Sequence, residues 1–165
     1  MRRALALLLV GPAVLVALRA QPSPGDAAPD RAPAPVAPAG TGDVTRLTPA
    51  VRRSVELAIA AARADGVELR VASGWRSAEH QRRLHAEAVA KYGSAAAARR
   101  WVLPPEESAH VRGEAVDVAP PSGADWLARH GVRFGLCRRY ANEPWHFERL
   151  AGPKGSVCPP MQPHA

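Results

Sequence analysis

Between Gln21 and Asp43 the chain carries six Pro, six Ala and three Gly in 23 residues, and Val36 is the only sizeable aliphatic side chain. Such a stretch cannot bury enough apolar surface to offset the entropy lost on ordering it, so it reads as a disordered linker. It divides the sequence. Beyond it, residues 44–165 number 122, ample for one compact domain and too few for two. A multidomain arrangement is excluded on length, and no internal period points to a repeat array.

Ahead of the linker, Met1-Arg2-Arg3 is positive and Ala4 to Leu18 is an uncharged run of 15 residues. That length suits the apolar region of an export signal better than the ~20 residues of a spanning helix. Ala20 fits the last position before a cut, whereas Leu18 is a poor residue at minus three. Residues 1–20 therefore read as a cleaved signal peptide or as a retained N-terminal membrane anchor, and either outcome places residues 44–165 outside the cytoplasm. In that oxidising space Cys137 and Cys158 are expected to pair. The bond would fasten the Pro-rich tail to the domain and contribute on the order of 3 kcal/mol in the chain-entropy model. No C-x-x-C spacing supports reading them as metal ligands.

The formal charge is +7, and +6 once residues 1–43 are set aside. The Arg pairs at 52–53, 82–83, 99–100 and 138–139 are scattered, with no aromatic ladder and no helix-turn-helix pattern. Nucleic acid is accordingly not an expected partner; an anionic cell envelope and a plain solvated surface both fit.

Thr48-Pro49 reads as a helix start, followed by Val51, Val55, Ala58, Ile59 and Ala62 at helical spacing until Asp65-Gly66. Val67, Leu69 and Val71 alternate with charged residues as a half-buried strand that runs into Ser73-Gly74-Trp75-Arg76. Ser77 caps a second helix to about Lys91, and a short third helix covers Ser94 to Trp101. Glu114 to Ala119 reads as a strand with Val116 and Val118 on one face and Asp117 on the other. Gly123 to His130 is a further helix. In a last strand, Trp145 to Leu150, Trp145 and Phe147 are expected to point inward, with His146 and Glu148 opposite. The pattern lacks regular β-α-β crossovers, so the expected class is α+β: one small domain with a short antiparallel sheet flanked by helices, and the site on the sheet face.

Three segments carry chemistry: Ser73-Gly74-Trp75-Arg76-Ser77 with Gln81, the run from Ser108 through His110 to Asp117, and Glu143-Pro144-Trp145-His146. His110, Asp117 and His146 supply two imidazoles and a carboxylate, a set that suits zinc and leaves a fourth position for water. Glu143, three residues before His146, is placed to act as general base without binding metal. Glu148 shares a strand face with His146 and reads either as an acceptor orienting that imidazole or as an exposed carboxylate. His80, His85, His130 and His164 read as solvated, and Glu114 as surface.

The pattern S-x-H-x(6)-D followed by E-x-W-H, with S-G-W-R-S-x-x-x-Q upstream, resembles the VanY-type D-alanyl-D-alanine carboxypeptidases of the M15 zinc peptidases over about residues 46–150. The resemblance implies Zn2+ held by His110, Asp117 and His146, with Glu143 as catalytic glutamate. It further implies that Arg76 holds the substrate carbonyl and developing oxyanion, and that Gln81 and Ser108 line the pocket for the terminal residue. The implied reaction is hydrolysis of the last D-Ala of peptidoglycan stem peptides; separately from the resemblance, a monomer is expected. The same metal core also serves L,D-carboxypeptidases and stem-peptide endopeptidases, and a non-catalytic wall-binding module is the remaining alternative. One departure is Trp75, where Tyr or Phe is expected; the flat ring is kept and a change in pocket shape is anticipated.

Overall fold

The computed structural model describes residues 43–150 and 157–165; the readings made on residues 1–20 and on 21–42 lie outside the described residues. Thr48 opens α1 (Pro49–Ala64), its side chain accepting from the Val51 amide while Pro49 supplies the pre-set first turn. β1 (Arg70–Ser73) comes next. Ser77 caps α2 (Ala78–Tyr92), accepting from the His80 amide, and Gly93 ends it in the left-handed conformation at φ 80°. Then come two single turns, α3 (Ala95–Ala98) and α4 (Ala109–Arg112), before β2 (Ala115–Ala119) and α5 (Pro121–His130). A 3-10 turn over Gly131–Phe134 leads to β3 (Leu136–Arg138), and β4 (His146–Arg149) completes the sheet.

The strand order is β1-β2-β4-β3 and every pairing is antiparallel. This is the α+β arrangement expected from the sequence. Its core lies on one sheet face, where Val71, Val116, Val118, Leu136 and Phe147 pack with Val51, Val55, Ala58 and Ala62 of α1 and with Trp126 and Leu127 of α5. Phe147 is 0% exposed, so truncating it to Ala would cost about 3–5 kcal/mol. Because side chains alternate along a strand, burying Val116, Val118 and Phe147 turns Asp117, His146 and Glu148 to the other face. The core therefore sets the orientation of the site.

Four details differ from expectation or add to it. β1 begins at Arg70 rather than Val67. α4 and β3, of four and three residues, are too short to show a period. Trp145 stands just before β4 and is half-buried rather than part of the core. Cys137 on β3 is bonded to Cys158, with Cα atoms 5.6 Å apart across 21 residues, so the tail is fastened to the sheet.

Candidate metal centre and active site

On the sheet face opposite the core, register brings the polar residues together. Asp117 is paired directly with His146 of β4 and with Ser73 of β1, while Ala115 is paired with Glu148. Direct antiparallel partners hold their Cβ atoms ~4.5–5.5 Å apart, so a carboxylate and an imidazole meet across the β2–β4 ladder. The β1 register shifts between Val71 and Ser73, and this irregularity sets Ser73 opposite Asp117, as bulges beside sites commonly do.

His110 arrives from α4, which ends at Gly113 with φ 72°. A Cβ at Gly113 would lie 2.7 Å from the Arg46 carbonyl oxygen, so both backbone conformation and space require glycine there. The turn after β1 and α4 hold each other: the Arg76 amide donates to the His110 carbonyl at 3.2 Å, and Trp75 Nε1 donates to the Val111 carbonyl at 3.1 Å. His110 Nδ1 in turn lies 2.7 Å from the Gly74 carbonyl oxygen. A carbonyl only accepts, so Nδ1 carries the proton and Nε2 presents a lone pair. Trp75 is stacked under Arg46 at 3.6 Å and is not among the residues lining the cavity. The departure from Tyr or Phe thus supplies an indole donor to α4 instead of reshaping the pocket.

His146 is fixed in the same way. Its Nε2 lies 3.2 Å from Glu148 Oε1, which favours a proton on Nε2 and leaves the Nδ1 lone pair facing inward. His110 Nε2, His146 Nδ1 and Asp117 Oδ1 then form a triangle with edges of 3.2, 3.1 and 3.2 Å. All three corners are acceptors, and acceptors at these separations repel unless a cation or a proton lies among them. A tetrahedral ion with bonds of ~2.0–2.1 Å needs donors ~3.3–3.4 Å apart, so the triangle is close to one face of such a tetrahedron. Two nitrogens and one oxygen suit zinc, and the donor set fits it.

With protein groups alone, a proton takes that place. Burial opposes charge on His146, but the hydrogen bonds to Asp117 and Glu148 prevail and raise its pKa to about 10. Burial likewise opposes the Asp117 charge, and His110 and then His146 overcome it, holding the carboxyl far below the usual range. Glu143 behaves in the opposite sense. Burial raises its pKa to about 7, with His146 and Arg76 opposing and Asp117 and Glu148 adding to the rise. Its Oε2 is 3.8 Å from His146 Nδ1, beside the triangle rather than in it. A carboxyl poised near neutral pH at that position can take up and return a proton.

Arg76 is braced from three sides: Nη1 donates to Gln81 Oε1 at 2.7 Å, Nη2 donates to Ser73 Oγ at 3.1 Å, and Nη2 lies 3.5 Å from Asp117 Oδ2. Gln81 is 2% exposed and its Nε2 donates to the Leu103 carbonyl at 2.6 Å. Both of its polar ends are therefore engaged by the protein, and it positions Arg76. Ser108 is buried at the start of α4.

Arg76, Gln81, Ser108, His110, Asp117, Glu143 and His146 all line one cavity of about 310 Å3. Residues without a sequence motif join them. Tyr140 places its ring 5.2 Å from that of His146, and Trp101 and His80 complete parts of the wall. His80, read as solvated, is exposed but stands at the cavity edge. Asn142 Nδ2 donates to the Arg100 carbonyl at 2.8 Å, which ties the loop carrying Glu143 to the end of α3. Only the adjacency of Tyr140 and Asn142 to the E-P-W-H run could have signalled them.

Comparison with known proteins agrees with this geometry. The VanY family model, D-alanyl-D-alanine carboxypeptidase, matches residues 44–151. A D-alanyl-D-alanine carboxypeptidase of Enterococcus faecalis (strain ATCC 700802 / V583) is 38% identical over 112 residues, covering 53% of this chain and 42% of the relative. The match thus spans less than half of that relative's length. Among solved structures, a variant of the vancomycin resistance D,D-pentapeptidase VanY in complex with Zn(II) aligns at TM-score 0.57 and 34% identity, over 62% of this chain and 71% of that one. VanYB in complex with D-Alanine-D-Alanine aligns at 0.58 and 33% identity, over 62% and 70%. The LdcB LD-carboxypeptidase, at 24% identity and TM-score 0.56 over 62% and 58%, shares the fold. With the family model extending across the whole sheet and through Glu143 and His146, the chain belongs to the VanY D-alanyl-D-alanine carboxypeptidase family.

Proposed function

We propose that residues 44–165 form a zinc-dependent carboxypeptidase that removes the terminal D-Ala from peptidoglycan stem peptides ending in D-Ala-D-Ala. The observation that carries this reading is the convergence of three lone pairs, from His110, Asp117 and His146, at 3.1–3.2 Å with Glu143 alongside. When bound, zinc supplies a Lewis acid for the scissile carbonyl and lowers the pKa of its water to ~7. Glu143 accepts the proton of the attacking water and returns it to the leaving amine as the C–N bond breaks, so its side chain ends the cycle as it began. Arg76, held by Gln81 and Ser73, presents a fixed guanidinium to the oxyanion that develops on the carbonyl. The loss of one such contact typically costs ~10²–10³ in rate. Ser108 and the cavity wall around it receive the terminal residue.

The aligned structures support both the substrate class and the metal: VanYB is complexed with D-Alanine-D-Alanine, and the VanY variant with Zn(II). Export through residues 1–20 belongs to this reading, since the substrate lies outside the membrane. Residues 21–43 then serve as a spacer: a fully extended run of that length, at ~3.1 Å per residue, would reach on the order of 70 Å, enough to let a domain with a retained N-terminal anchor work in the wall. Defined stems test the specificity. A pentapeptide ending in D-Ala-D-Ala should lose one D-Ala, while a tetrapeptide ending in a single D-Ala should stay intact. Release from the tetrapeptide alone would reverse the assignment to L,D-cleavage.

A further inference from the structure

We infer that the tail segment Val157–Ala165 is a wall of the substrate cavity, held in place by the Cys137–Cys158 disulfide, that limits the bulk of the peptide reaching Glu143; this rests on the carboxypeptidase reading. The segment lies beyond residues 44–151, the part matched by the family model. It is fastened along β3 and the start of the loop that carries Glu143. Cys158 is bonded to Cys137, Arg138 Nε lies 3.0 Å from Met161 Sδ, and Tyr140 is bridged in parallel to Gln162. In that bridge the Gln162 amide donates to the Arg139 carbonyl at 2.9 Å and the Ala141 amide donates to the Gln162 carbonyl at 2.8 Å. Ala165, at the far end of the segment, lines the cavity together with Tyr140, Glu143 and Trp145.

Apolar docking does not account for this placement. Val157 is 89% and Met161 47% exposed, so the segment's larger apolar side chains contribute little burial. A covalent link and two backbone hydrogen bonds hold it instead, and Pro159, Pro160 and Pro163 stiffen it by fixing φ. A stiff, covalently fastened segment at the cavity edge confines the space beside Tyr140 and Trp145. An unbranched stem terminus passes such a wall, whereas a stem carrying a second peptide chain near the scissile bond meets it. The wall is therefore a device for selecting linear stems over branched or cross-linked ones.

Two variants test this. Cys137→Ser with Cys158→Ser releases the segment, and Gln162→Pro removes the amide that donates to Arg139 while keeping the disulfide. The first readout is the ratio of kcat/KM for a branched stem to that for a linear pentapeptide. It should rise about fivefold or more in both variants, with kcat on the linear peptide within about twofold of the parent. An unchanged ratio, or an equal loss on both substrates, would overturn the inference. The second readout needs no turnover. In 5-fluorotryptophan protein, a soluble paramagnetic probe should broaden the Trp145 resonance about twofold more in the released variants, while the core residue Trp126 keeps its shift and width. Unchanged access at Trp145 with Trp126 intact would refute the wall whether or not the protein cleaves stems. A parent protein that cleaves neither stem would instead refute the carboxypeptidase reading, and the fluorine experiment would still decide the wall.

Discussion

Replacing Glu143 by Gln separates catalysis, metal binding and stability in one variant. A positioned general base contributes typically 10²–10⁴, so kcat should fall about 10³-fold, equivalent to about 4 kcal/mol. KM and zinc stoichiometry should be retained, because Glu143 Oε2 lies 3.8 Å from His146 Nδ1 and outside the donor triangle. The fold should become more stable. Burial raises the Glu143 pKa from 4.5 to about 7, which corresponds to a penalty of about 3 kcal/mol for keeping the charge in the folded protein. A raised carboxyl pKa costs nothing below about pH 4.5, where both states hold the proton, and costs its full amount above about pH 7. Chelator-treated E143Q should therefore be up to about 3 kcal/mol more stable than the parent at pH 8 and nearly equal to it at pH 4. Steady-state kinetics, metal analysis and denaturant unfolding at the two pH values provide the assay. A kcat within about tenfold of the parent, or lower stability at pH 8, would refute the assignment of Glu143 as a buried base held charged at a cost.

Glu148→Ala removes the acceptor of His146 Nε2 and should weaken zinc binding about 10–100-fold in competition with a chromophoric chelator, with Glu148→Gln losing less. His146 has its pKa raised to about 10, so the stabilisation from its proton is complete below about pH 6.5 and fades as pH rises through about 10. Zinc displaces that proton. Between these values the affinity of chelator-treated protein should rise about tenfold per pH unit, with about one proton released, which titration calorimetry in buffers of different ionisation enthalpy measures. Arg76→Lys retains a charge but loses the fork that reaches Gln81 and Ser73. Its kcat/KM should fall about 10²-fold in steady-state assays while zinc content is unchanged.

The sequence carried the site better than it carried the scaffold around it. Thr48-Pro49, Ser77 and Gly93 are local signals, and the structure uses each as a helix boundary. The alternation around Val116 and Val118 fixed the side of β2 on which Asp117 emerges, because a strand with one buried face has no freedom in its register. α4 left no such trace: it is one turn, and its placement depends on tertiary bonds to Gly74, Trp75 and Arg76 that no local pattern encodes. The engagement of Gln81 was hidden for a similar reason, since the Leu103 carbonyl it binds lies 22 residues away. The course of the tail beside Tyr140 likewise required the three-dimensional pairing of Gln162 with the Arg139–Ala141 backbone.

On the proposed function, His110, Asp117 and His146 hold a zinc ion that makes Glu143 competent against a D-Ala-D-Ala terminus. Mass spectrometry of a pentapeptide stem incubated with purified protein, first with a zinc chelator and then with zinc restored, is the decisive measurement. The expected result is loss of a single terminal alanine that stops with the chelator and returns with stoichiometric zinc. Cleavage that persists in the chelated protein, or no cleavage by protein carrying one zinc per chain, would rule out zinc-dependent hydrolysis at this site.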